Sequence, residues 1–204
     1  MRSRKNRAAG WKIYSIIDKN TMGKKDPSAL ARKVFKNGVM ALQLRCKNAP
    51  SYSMVALAKK ISSLAKKNKS FFLINDRPDL ALASRASGIH LGEGDPGLKT
   101  VRVLLGDGAI AGKTVHSLNE ARKAKKEPFD YISAGAVYAT PLKRRLKGRG
   151  AAFIKRLKRI SEKPLLAIGG INEKNAKAVL AAGADGICVA RASLKIEKIV
   201  NALK

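Results

Sequence analysis

The sequence predicts a single (β/α)8 TIM barrel, and three observations predict it. Apolar runs of strand length recur near residues 12–17, 41–45, 71–74, 88–91, 109–115, 131–137, 165–168 and 186–190. A segment of helical period follows nearly every run, and eight such right-handed crossovers close most economically into a barrel. The unusual polar residues cluster at the carboxyl ends of the runs, where a barrel carries its functional groups. A doubly wound open sheet competes, but Ile16-Ile-Asp-Lys19 stands where its Gly-rich dinucleotide turn belongs.

Taken in order, the helices have readable ends. Ser28 is placed to cap a helix running to Asn37, and Ser51 to Asn68 carries Met54, Leu57, Ala58, Ile61 and Leu64 on one stripe. Ser117 with Glu120 forms a capping-box pattern for a helix reaching about Lys126, and Asn172 is placed to cap the helix that closes at Gly183.

Composition bounds what this barrel does. The 204 residues suffice for one substantial core, read as a basic flexible arm over 1–10 and one catalytic domain over 11–204. Forty-three Lys and Arg against fourteen Asp and Glu give a formal charge of +29, which favours anionic partners and predicts nonspecific, salt-sensitive adsorption to nucleic acid. Most of that charge, as at Lys59-Lys60, Lys66-Lys67 and Arg156 to Arg159, falls between apolar positions, the pattern of a solvated helix face. Two cysteines, Cys46 and Cys188, without metal-ligand spacing fit a reduced, cytoplasmic setting. No apolar segment is long enough for a membrane span, and a homo-oligomer is left open.

Alternation in Leu42-Gln-Leu-Arg-Cys-Lys47 sets Gln43, Arg45 and Lys47 on one side, facing the mouth. An Arg gripping phosphate oxygens in parallel with a Lys beside it makes a diphosphate clamp. After the third and fourth strands, Asn75, Asp76 and Asp95 offer hard oxygen ligands of the kind Mg²⁺ takes together with water and phosphate, so Asp76 and Asp95 are the expected metal ligands. The bland alternatives are pairing of Asp76 with Arg77 and capping by Asp95 of a helix near Pro96. Thr114 is available to a heteroaromatic ring; His90 and His116 read as structural. The basic loop with Arg144, Arg145, Lys147 and Arg149 is suited to closing over a phosphorylated substrate. Glycines in Ala167-Ile-Gly-Gly-Ile171 and Gly186-Ile-Cys-Val-Ala-Arg-Ala192 let backbone N–H groups approach a monophosphate after the last two strands.

In order, Gln43-Leu-Arg-Cys-Lys47, Asn75-Asp76, His90-Leu-Gly-Glu-Gly-Asp95, Gly135 to Lys143, Ile168-Gly-Gly-Ile171 and Gly183-Ala-Asp-Gly186 resemble the thiamine-phosphate synthase family and its relatives, the thiazole tautomerases. The resemblance runs from about Lys12 to Ala192. It implies Mg²⁺-dependent joining of a hydroxymethylpyrimidine diphosphate to a thiazole phosphate with release of pyrophosphate, a transferase reaction of thiamine biosynthesis. By the resemblance Arg45, Lys47, Asn75 and Lys143 hold the diphosphate, with Arg45, Lys47 and Lys143 stabilising its departure. Asp76 and Asp95 hold the metal, Gln43 and Thr114 the pyrimidine, and Thr140 with the backbone at Gly170, Ala190 and Arg191 the thiazole phosphate. Leu142 and Arg191 depart from the family's usual hydroxyl residue and Ser, both on the thiazole-phosphate side. Thr114-Val-His-Ser117 and Gly148-Arg-Gly150 look like the tautomerase branch, where a His at the position of His116 moves protons, yet Gln43 and Asp95, which that branch tends to lose, are present. An RNA-binding barrel without catalysis would need exposed aromatics along a basic stripe, and the aromatics here sit mostly in apolar runs.

Overall fold

Eight parallel strands hydrogen-bond in chain order and the last returns to the first, closing the barrel. This arrangement is seen in a computed structural model that describes residues 8–46, 51–140 and 148–204. The strands are β1 Ile13–Asp18, β2 Ala41–Arg45, β3 Phe71–Asn75, β4 Gly88–Leu91, β5 Ile110–Val115, β6 Tyr131–Ala134, β7 Leu165–Ile168 and β8 Gly186–Val189. Around them lie α1 Lys19–Met22, α2 Pro27–Lys36, α3 Ser51–Lys67, α4 Pro78–Ser84, α5 Leu98–Leu105, α6 Leu118–Lys125, α7 Gly150–Lys158, α8 Ala176–Ala181 and α9 Ile196–Ala202, with a 3-10 turn at Arg191–Lys195 before the last.

Period-2 alternation divides every strand between two cores. The outward residues, among them Ile17, Leu42, Leu44, Phe72, Ile74, Ile89, Leu91 and Ile187, pack against the apolar stripes of the helices. In α3 that stripe is Met54, Ala58, Ile61 and Ala65, all buried, while Lys59, Lys60, Lys66 and Lys67 face solvent, as do Arg156 and Arg159 near the end of α7. The inward residues form a separate core of Trp11, Tyr14, Ile16, Ala41, Leu73, Ile110, Tyr131, Leu166 and Cys188, joined by Ala8. Trp11 lies against Tyr14, Phe71 and Tyr131 with ring centroids 5.4–5.6 Å apart, and these rings fill the amino-terminal end of the barrel. No helix among the described residues is long and apolar enough to cross a membrane.

Three expected boundaries move. Helix α2 is capped not by Ser28 but by Asp26, whose carboxylate accepts from Ser28 N at 2.9 Å and Ala29 N at 3.2 Å, because Pro27 occupies the first helical position and pushes the cap one residue before it. Helix α8 begins at Ala176, and Asn172 instead shapes the preceding turn, its side chain accepting from Lys174 N and its own N–H donating to Asn175 Oδ1. Strand β6 stops at Ala134 rather than near 137, since Val137 and Tyr138 turn to donate to the carbonyls of Ile168 and Gly169 at 2.9 and 3.0 Å. The capping box of α6 is as read, with Ser117 Oγ accepting from Glu120 N and Glu120 reaching back to His116 N.

Candidate active site

The inward positions nearest the carboxyl ends of the strands are polar, and they follow from the same alternation. Asp18 shares its face with Tyr14 and Ile16, Arg45 and Gln43 share theirs with Ala41, Asn75 shares Leu73's, Thr114 shares Ile110's, and His90 lies between the outward Ile89 and Leu91. The parallel register sets Asp18 beside Arg45 and Asn75 beside His90.

Arg45 Nη1 meets Asp18 Oδ2 at 2.5 Å; the Asp18 side chain is 5% exposed and the Arg45 side chain 28%. The guanidinium is therefore anchored on one edge and open to the mouth on the other, the posture a bidentate phosphate ligand requires. Asn75 Nδ2 donates to Asp76 Oδ2 at 2.7 Å, and Asp76 N donates to the carbonyl of His90 at 3.0 Å, tying the ends of β3 and β4 together. Asp76 holds a left-handed backbone, φ 58°, which turns the chain sharply as it leaves the strand. Arg77 goes to Asp79 through two hydrogen bonds of 2.8 and 2.6 Å.

Asp95 does not cap α5, whose amino-terminal residue is preceded by Gly97 without a side-chain cap. Instead Asp95 Oδ2 accepts from Gly92 N at 2.5 Å, while Lys113 Nζ holds the Gly92 carbonyl at 2.8 Å, so the β4 loop is pinned from two sides. Two carboxylates at neighbouring strand ends, each steadied by an N–H on one oxygen, are a hard donor set that fits a divalent cation completed by water and phosphate. Among the described residues no group of three or more His, Cys, Asp or Glu is gathered to hold a metal.

Below the mouth runs a chain of polar groups that hydropathy alone hides. Gln43 Nε2 donates to the Tyr14 hydroxyl at 2.8 Å, the Tyr131 hydroxyl donates to the same oxygen at 3.1 Å, His90 Nδ1 lies 2.9 Å from Tyr131, and His90 Nε2 lies 2.7 Å from Thr114 Oγ1. Gln43 and Thr114, on β2 and β5, are thus the two ends of one network crossing the lumen. Burial pushes the Tyr131 and Tyr14 phenols well above their ordinary value, so both stay protonated. The Tyr131 ring fits because residue 112 is glycine: a Cβ there would fall 2.0 Å from the ring's Cζ and 2.4 Å from its oxygen. His90 is therefore an interior link, whereas His116, just past β5, places Nδ1 2.7 Å from the carbonyl of Gly135.

The loop after β7 supplies the glycine backbone read from sequence, whereas Gly186 opens β8 at the amino-terminal end of the barrel, where a Cβ would run into the Trp11 carbonyl, and the turn after β8 holds no glycine. The carbonyls of Ile168, Gly169 and Gly170 are engaged by Val137 N, Tyr138 N and Asn175 Nδ2, the last at 3.0 Å, which fixes the orientation of the loop's peptides. Gly170 has φ 65°, and a Cβ on it would lie 2.7 Å from Tyr138 Cβ and 2.8 Å from the Ala139 carbonyl, so no other residue fits there unstrained. Ala190 precedes the 3-10 turn opened by the exposed Arg191; Ser193 in that turn bonds to Ser15 and to the Val189 carbonyl. Thr140 is half-buried beyond β6. Lys47, Lys143, Leu142, Arg144, Arg145 and Lys147 lie outside the described residues.

The structure thus brings Gln43, Arg45, Asn75, Asp76 and Thr114 to one end of the barrel and Gly170, Ala190 and Arg191 to the same end on the opposite arc. Sequence reasoning passed over Asp18, Tyr14 and Tyr131. An Asp at the end of the first strand, in phase with inward residues, was the signal for Asp18; the tyrosines read as ordinary core. A groove of about 540 Å³ opens at the other end, lined by Lys12, Val39, Met40 and Leu203 among others, and contains none of the predicted residues.

A family model described as thiamine monophosphate synthase matches residues 13–193. The chain is 38% identical over 176 residues to the thiamine-phosphate synthase of Caldanaerobacter subterraneus subsp. tengcongensis, covering 86% of this chain and 82% of that one. It is 35% identical over 195 residues to the enzyme of the same name from Clostridium novyi, covering 95% and 96%. Among solved structures, a thiamine phosphate pyrophosphorylase from Pyrococcus furiosus superposes with a TM-score of 0.85 at 31% identity, covering 96% of each chain.

Proposed function

The chain belongs to the thiamine monophosphate synthase family, and on that premise we propose that it is a thiamine-phosphate synthase of thiamine biosynthesis. It condenses 4-amino-2-methyl-5-(diphosphomethyl)pyrimidine with a thiazole phosphate and releases pyrophosphate. The observation that carries this reading is the family match over residues 13–193, which spans all eight strands.

In the reaction the C–O bond between the pyrimidine methylene and the diphosphate breaks, pyrophosphate leaves with the electron pair, and the thiazole nitrogen supplies the pair for the new C–N bond. Negative charge grows on the leaving group, so its catalysts are cations already in position. Arg45 is one, oriented by Asp18 before any substrate arrives; Lys47 and Lys143 add positive charge for the diphosphate, and Asn75 donates a neutral hydrogen bond. Asp76 and Asp95 are the residues that would hold Mg²⁺, which when bound would supply positive charge to neutralise the diphosphate. Gln43 and Thr114 grip the pyrimidine ring. The backbone at Gly170, Ala190 and Arg191, with Thr140, receives the thiazole phosphate. The two free thiols, Cys46 and Cys188, fit a cytoplasmic setting.

Purified protein mixed with both phosphorylated precursors and Mg²⁺ tests the reading. Thiamine phosphate and pyrophosphate form, and Asp76→Ala, Asp95→Ala or chelation reduces the rate by at least about a hundredfold. Turnover indifferent to chelator sinks the metal assignment, and isomerisation of a carboxythiazole phosphate that depends on His116 without any condensation sinks the synthase assignment.

A further inference from the structure

The hydrogen bonds inside the barrel have a direction, and that direction reaches the mouth. The Tyr131 hydroxyl spends its one proton on Tyr14, at 3.1 Å. What Tyr131 offers to His90 Nδ1, 2.9 Å away, is therefore a lone pair, so Nδ1 carries the ring proton. In the neutral imidazole Nε2 then accepts, and its neighbour at 2.7 Å, Thr114 Oγ1, is the donor. With its proton drawn inward, the Thr114 oxygen faces the mouth with lone pairs only. His90 is 5% exposed and Tyr131 fully buried, so water does not compete for the bonds that join Tyr14, Tyr131 and His90.

We propose that His90 is a positioning residue: its Nδ1–H tautomer, held by Tyr131, makes the Thr114 hydroxyl an obligate acceptor that selects a heteroaromatic ring bearing an exocyclic amino group over the same ring bearing an oxo group. This rests on the reading that the mouth binds an aminopyrimidine and deepens it by naming what enforces the choice. An amino group donates to the Thr114 oxygen; an oxo group sets two acceptors against each other, and a site built around a buried hydrogen bond rejects such a mismatch strongly.

The tautomer is read directly by ¹⁵N NMR of the imidazoles, since the chain has two histidines and His90→Gln assigns the signals. The wild type shows His90 protonated at Nδ1, and Tyr131→Phe, which removes one oxygen and keeps the ring, gives a mixture of tautomers. Competition binding of the amino and oxo pyrimidine diphosphates reads the consequence. The wild type prefers the amino ring by at least about tenfold; Tyr131→Phe, His90→Gln and Thr114→Val each reduce the preference to within about threefold, while affinity for pyrophosphate alone is unchanged. An Nε2–H tautomer in the wild type overturns the inference, as does an amino preference intact in Tyr131→Phe, or a wild type that binds both rings equally or neither. A wild type that prefers the amino ring yet releases no pyrophosphate with the thiazole partner upholds the inference and sinks the condensation.

Discussion

Arg45 on β2 and Asp18 on β1 form an ion pair in which the carboxylate is buried and the guanidinium only partly so, with Nη1 2.5 Å from Oδ2. The pair is lopsided by design of the register: Asp18 is opposite Arg45 in the β1–β2 ladder, so the acid stays in the barrel wall while the longer base reaches the mouth. Removing each partner therefore has a different effect. Asp18→Ala releases the guanidinium and lowers kcat/KM for the pyrimidine diphosphate about tenfold, because orientation is lost but not charge. Arg45→Ala takes the guanidinium away from a buried carboxylate and costs on the order of 2 kcal/mol of stability in a urea titration. An unchanged unfolding midpoint for Arg45→Ala would show that Asp18 does not depend on it.

Gly170→Ala separates the two substrates. The added methyl meets Tyr138 and the Ala139 carbonyl in a left-handed backbone, so the loop after β7 must shift. In steady-state kinetics KM for the thiazole phosphate rises about tenfold, as expected when anion-facing peptides are displaced. KM for the pyrimidine diphosphate changes less than about twofold, since Arg45 and Asn75 lie on β2 and β3.

Asp26 caps α2, and Asp26→Ala lowers stability by about 1 kcal/mol. Hydrogen bonds from Ser28 hold the Asp26 carboxyl below its ordinary value of 3.8. A carboxylate whose folded pKa is depressed contributes stability above its unfolded pKa and loses it as pH falls through the folded value. The gap between wild type and Asp26→Ala is therefore full at pH 7 and shrinks below about pH 4. Denaturation midpoints measured at pH 7 and in the acid range check the sign.

Neither thiol reacts readily in the folded protein. Burial pushes Cys188 up to about 12 and Cys46 up to about 11. Since the thiolate is the nucleophile, an aromatic disulfide reagent at pH 8 modifies both slowly, and rapidly only after unfolding. Fast modification of Cys188 in the native protein would place it at the surface.

The barrel was legible because its signal is period: β4 and β7 end where the apolar runs end, and the Ser117–Glu120 cap follows from two residues three apart. At the start of α2 the spacing pointed to Ser28, and the cap is Asp26 because Pro27 between them takes the first helical position. The mouth was legible in Gln43, Arg45, Asn75 and Asp76 because polar residues ending apolar strands stand out. The lumen was not. Tyr14 and Tyr131 are fifth-strand-away partners whose hydroxyls meet only once the sheet closes, and no local pattern reports the distance between them.

Gly112 lies at the level of the barrel that Tyr131 crosses, and the void beside its bare Cα is filled by the neighbouring strand's phenol. A methyl placed there would touch no ligand, yet it would dislodge the ring that orients His90. Discrimination at the mouth would then be weakened by a change at a residue with no side chain and no polar group to mark it.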